Sequence, residues 1–132
     1  MLLNIRPLNN VATVNSFEVS DSIEIYEGDA QDIYFQLIDA KADLAHHGFN
    51  PPGRRYMPPD GSTLTVKFVN IDDTKVINRV ATQPFSQDPS IFKISVLSSD
   101  PFAGTVSMNL TLTEPTRVLH ATFAPGSLLR VR

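Results

Sequence analysis

In the stretch Gly104-Thr105-Val106-Ser107-Met108-Asn109-Leu110-Thr111-Leu112-Thr113, apolar and polar residues alternate without a break. Successive side chains of a β-strand point to opposite faces. Val106, Met108, Leu110 and Leu112 therefore share one face, and hydroxyls and an amide occupy the other. A helix does not place four consecutive even positions on one side. The stretch is a half-buried strand, and the remaining segments read as further strands packed around it.

Working outward, Leu64, Val66 and Phe68 alternate with Thr63, Thr65 and Lys67. Asn70 to Lys75 is a hairpin turn, and Val76 to Val80 returns as the partner strand. Ile91 to Leu97, Arg117 to Phe123 and Leu128 to Val131 continue the pattern, separated by Pro- and Gly-bearing turns. On the N-terminal side, Val14 to Val19 and Ser22 to Tyr26 read as short strands. Ile33 to Ile38 is apolar on nearly both faces, as expected of a central strand. Short strands at hairpin spacing, with no helix of ordinary length, predict an all-β antiparallel β-sandwich, with a partly open β-barrel as the competitor.

A chain of 132 residues fits one domain. Met1 to Ala12 shows no period and reads as an extended N-terminal arm, leaving residues 13–132 for the sandwich. Residues 45–61 form a long Pro-rich loop with two Pro-Pro pairs, of a length usually kept for function. Because residues 50–59 carry no strand period, a Gly-Ser replacement there is expected to leave the sandwich folded.

Composition narrows the function classes. Charged residues make up 19 %, below the roughly 25 % of ordinary soluble domains. The absence of cysteine excludes disulfides, thiol catalysis and thiolate-bound metal. A net charge of −3 argues against general nucleic-acid binding. No apolar run reaches membrane-spanning length, and the first residues do not form a signal peptide. The acids crowd between Glu18 and Asp43, whereas Arg117, Arg130 and Arg132 dominate the C-terminal end. That asymmetry reads either as solvated surface or as acidic and basic faces that meet between copies or partners.

His46 and His47 are adjacent, which is not a zinc spacing, and Asp72-Asp73 lacks the alternation of a calcium loop. No nucleophile elbow, carboxylate pair or glycine-rich phosphate cradle is present, so no cofactor, metal or catalytic residue is expected. Arg54-Arg55-Tyr56-Met57, with Phe49 before it, is the best candidate interface, since Arg, Tyr, Phe and Met are enriched where proteins meet. Leu3 and Ile5 of the arm join it as candidate contacts with neighbours.

The order Glu27-Gly28-Asp29, Ile33 to Asp39, Asp43-Leu44, Leu64 to Phe68, Ile91 to Ile94, Gly104-Thr105-Val106 and Leu129-Arg130-Val131 resembles a known group. It is similar to the small immunoglobulin-like β-sandwiches of tailed-bacteriophage virions, such as the N-terminal domain of baseplate upper proteins and some decoration or neck proteins. The resemblance implies a non-enzymatic virion structural protein, assembled in the host cytoplasm. Its partners would be other virion proteins and further copies of itself. It implies no functional residues, because such proteins act by assembly. The alternative is a β-sandwich module that binds carbohydrate or another small ligand, although the chain has no Trp and only three Tyr for stacking.

Overall fold

The computed structural model describes residues 2–13, 16–40, 54–124 and 126–132, and no described residue is helical. Eleven strands follow in order: β1 (Leu3–Thr13), β2 (Ser16–Val19), β3 (Ser22–Ile25), β4 (Gln31–Asp39), β5 (Arg54–Arg55), β6 (Thr63–Asn70), β7 (Val76–Val80), β8 (Ile91–Val96), β9 (Thr105–Thr113), β10 (Val118–Phe123) and β11 (Leu128–Val131). The architecture is all-β and sandwich-like, a single mixed sheet folded over itself without closing into a barrel.

β9 is the strand on which the others are hung. β6 runs antiparallel along its whole length, from Thr63 opposite Thr113 to Asn70 opposite Val106. Its other edge is shared, with β11 beside Thr105–Val106 and β10 beside Asn109–Thr113. The alternating side chains behave as their parity requires: Val106, Met108, Leu110 and Leu112 are buried and Asn109 is exposed. Ser107 is half-buried, its hydroxyl donating to the Val69 carbonyl at 3.4 Å. Leu64, Val66 and Phe68 of β6 point the same way and are also buried. Facing them across the core stand Ile33, Phe35 and Leu37 of β4 with Phe92 and Ile94 of β8. Phe35 stacks on Phe92 at 5.4 Å between ring centres, and Phe68 meets Phe102 edge-on at 5.2 Å. Each such side chain contributes about 1.5–3 kcal/mol on burial.

Two pairings are parallel, β1 with β10 and β3 with β11, so the sheet is mixed rather than wholly antiparallel. The first of these accounts for the N-terminal segment. Residues 3–13 are a sheet strand, with antiparallel β4 on one edge. The other edge is handed from β10 at Leu3–Ile5 to β2 from Leu8 onward. Ile5 accepts from the Ala124 amide on that edge, and Pro7 accepts from Ser20. Pro7 lacks an N–H and sits at the hand-over, so its side of the ladder has one bond, from the Ser20 amide to its carbonyl.

The open strand edges are guarded. Beyond β7 the chain makes one isolated bridge, Thr82 to Lys93 of β8. On β7 the Arg79 guanidinium donates to the Asn78 carbonyl at 2.9 Å and pairs with the Asp100 carboxylate. On β3, the Gln31 amide reaches back to the Glu24 carbonyl and the Tyr26 amide, both at 3.4 Å. Inward charges and side-chain caps of this kind discourage edge-to-edge pairing.

The β6–β7 turn holds a strained residue. Asn70 and Lys75 close it, with Thr74 donating back to the Asn70 carbonyl at 2.9 Å. Thr74 adopts a φ of 60°, the left-handed region that a β-branched side chain disfavours. Thr74→Gly is expected to relieve this by about 0.5–1 kcal/mol net of the added freedom of the unfolded chain. Calorimetry should show a melting temperature higher by about 2–4 °C; an unchanged or lower value would mean that the turn holds no releasable strain.

Candidate interaction site

The candidate residues fall into three groups. Phe49, with His46 and His47, lies outside the described residues. Leu3 and Ile5 are 4 % and 0 % exposed and belong to the core of their own chain. This corrects their expected place at an interface: side chains already buried against β4 and β10 have no surface left for a neighbour. Arg54 to Met57 are gathered at the base of a hairpin. β5 pairs antiparallel with the end of β4, Asp39 opposite Arg54 and Ile38 opposite Arg55. The Tyr56 amide then donates to the Leu37 carbonyl at 2.9 Å. The chain thus leaves β4 and returns at adjacent positions.

Two polar clasps pin this base. In the first, the Tyr56 hydroxyl donates to Oε2 of Glu114, while Arg117 Nε donates to Oε1 at 2.6 Å. Arg117 Nη2 also reaches the Tyr56 oxygen, at 3.0 Å. Glu114 is buried, and burial by itself pushes its carboxyl pKa up. The hydrogen bonds from Tyr56 and Arg117, with the charge of Arg117, outweigh that and hold it below the ordinary 4.5. The Tyr56 phenol is pushed up, first by burial and then by the Glu114 acceptor. The three groups satisfy one another, which leaves none as a poised base or nucleophile.

The second clasp is deeper. Arg55 Nη1 donates to Oδ2 of Asp88 at 3.1 Å. Asp88 is 1 % exposed, and its Oδ1 accepts from both the amide and the hydroxyl of Ser90. The Ser90 hydroxyl accepts from the Gln36 amide at 3.1 Å, and the Gln36 oxygen accepts from Arg6 Nε at 2.8 Å. Burial lowers the Arg6 pKa, with the Asp88 charge opposing. A chain of hydrogen bonds therefore ties β1, β4, β5 and the start of β8. The sequence marked Arg55 and Tyr56 but missed Asp88, Glu114, Gln36 and Ser90. The available signals were local: Asp88-Pro-Ser90, an Asx-turn spacing, and Glu114 three residues before Arg117.

These contacts correct the expectation for residues 50–59. Their replacement would remove β5, Tyr56 and the buried Pro58 along with the loop, and would cost stability. Of the acids between Glu18 and Asp43, Glu24 pairs with Arg132 at 2.6 Å within the chain and faces Arg130 in the β3–β11 register, while Arg117 holds Glu114 of its own end. Met57 stays 40 % exposed beside the clasps. Among the described residues, no three His, Asp or Glu side chains are placed to hold a metal ion, and no helix is long and apolar enough to cross a membrane.

Because the depressed Glu114 pKa is a folded-state property, its stabilisation is present above the unfolded value near 4.5 and is lost as the pH falls through the lower folded value. Tyr56→Phe is expected to cost about 1–2 kcal/mol at pH 7. Urea titrations should show the gap between wild type and Glu114→Gln shrinking below about pH 4. A gap constant from pH 7 to 3 would rule out this clasp as a source of stability. Searched against family models and curated protein sequences, the chain returns no match.

Proposed function

We propose that the protein is a non-enzymatic structural component of a tailed-phage virion, present in many copies, that makes its contacts through the loop carried on the β4–β5 hairpin. One observation carries the reading. The loop leaves and re-enters the sheet at paired positions, Asp39 and Arg54, and two clasps on the buried carboxylates of Asp88 and Glu114 fix the segment that follows, at Arg55 and Tyr56. A base held at fixed positions on the sheet lowers the freedom lost when a partner is met. The guarded edges of β3 and β7 support the same reading, since strand addition there is discouraged and contacts are left to loops. The mutually satisfied polar groups of both clasps favour a structural role over catalysis.

The test replaces residues 42–52 by a Gly-Ser linker and keeps Arg54 onward, so that β5 and both clasps survive. The variant should keep its circular-dichroism spectrum and melting temperature, and should lose co-sedimentation with capsids or tails. A folded variant that is incorporated normally would overturn the reading.

A further inference from the structure

The outer face of β7, β6, β9 and β10 is continuous across the sheet, and these four strands contain no Asp or Glu. The strand-borne acids lie elsewhere, Glu18 on β2, Glu24 on β3, and Asp32 and Asp39 on β4. In a protein with 14 acids and a net charge of −3, this is an acid-free surface.

A groove of about 380 Å³ crosses that surface. Its centre is Lys67, exposed on β6, with Asn78 of β7 and Asn109 of β9 directly opposite it on either side. In the next cross-strand row Thr65 and Thr111 are paired, with His120 of β10 beside Thr111. Among the described residues, Lys67 has no ion-pair partner, and the side chains of Asn78 and Asn109 have no hydrogen-bond partner. An uncompensated ammonium is thus framed by two free carboxamides and two hydroxyls.

We infer that this groove binds a carboxylate-bearing saccharide, a uronate or sialate residue of a glycan. The ammonium of Lys67 meets the carboxylate, and no neighbouring acid competes for it. Each carboxamide can donate and accept together, as adjacent sugar hydroxyls require; a peptide backbone offers the same pair of groups, and the poly-glutamate arm of the experiment separates the two. The groove volume is at the small end of ligand sites, as suits one or two sugar rings. No aromatic residue lines it, so binding lacks ring stacking and is weak at each site. Display in many copies would raise the avidity. The site itself does not depend on the virion reading.

The experiment is calorimetric titration of the whole chain with oligogalacturonate and with a sialylated trisaccharide, against a neutral oligogalactoside and a poly-glutamate peptide. At least one acidic saccharide should bind, more weakly as salt rises. Lys67→Glu should weaken it by roughly tenfold or more, and Asn109→Ala by several-fold. Both residues are exposed, so the variants should melt like the wild type. The inference is overturned if neither acidic saccharide binds at millimolar concentration, or if Lys67→Glu leaves binding unchanged. Equal binding of the neutral sugar removes the role of the charge, and equal binding of poly-glutamate removes the saccharide.

Discussion

Met108→Asp is expected to leave the chain unfolded at 25 °C. Met108 is 2 % exposed on β9, directly across from Phe68, and the buried residues of the described chain include no Lys or Arg. A carboxylate there would be buried without a cation or a donor, a change in the class that exceeds about 4–5 kcal/mol. That is comparable with the whole stability of an ordinary domain. Asn109→Asp, one position along, faces solvent and lies opposite Lys67, so its effect should stay within about 0.5 kcal/mol. Circular dichroism and urea titration of the pair give a direct reading of the β9 register. Equal midpoints would mean that the register is wrong.

The second large effect is expected at Asp88. Asp88→Ala removes the acceptor for the Ser90 amide and hydroxyl, both shut away from water, and releases Arg55. Leaving two buried donors without an acceptor costs about 1–3 kcal/mol for each. Asp88→Asn keeps the shape and one acceptor and should recover part of the loss. Chemical denaturation separates the two, and indistinguishable midpoints would show that the network does not anchor β5 and β8. Because Arg55 is half-exposed and can turn to water, Arg55→Ala should cost less than Asp88→Ala.

Much of the fold was legible because its signals are local. Val106 to Leu112, Leu64 to Phe68 and the Asn70 to Lys75 turn each declare themselves within ten residues, and the structure places strands and a hairpin there. The N-terminal strand was not legible because Pro7 and Leu8 are both buried, which breaks the alternation that Leu3 and Ile5 begin. Nor could the parallel pairings be read, since the meeting of Leu3 with Ala121 leaves no mark near either residue. The candidate site shows the same limit. Arg55, Tyr56 and Met57 stand out by composition, whereas Asp88 and Glu114 look like any surface acids until the fold buries them.

The strand directions also set how the molecule carries load. β11 runs antiparallel to β9, β9 antiparallel to β10, and β10 parallel to β1, so β1 and β11 point the same way. Tension applied between Leu2 and Arg132 would draw β1 backward along its own axis and β11 forward along its own. The hydrogen bonds flanking both strands lie across the pull and are loaded together, in shear, rather than peeled one after another. β1 is gripped in this way on two edges. Resistance to force is set by the barrier to rupture rather than by equilibrium stability. A sheet wired in this order resists a pull between those ends in shear even where its thermal stability is ordinary.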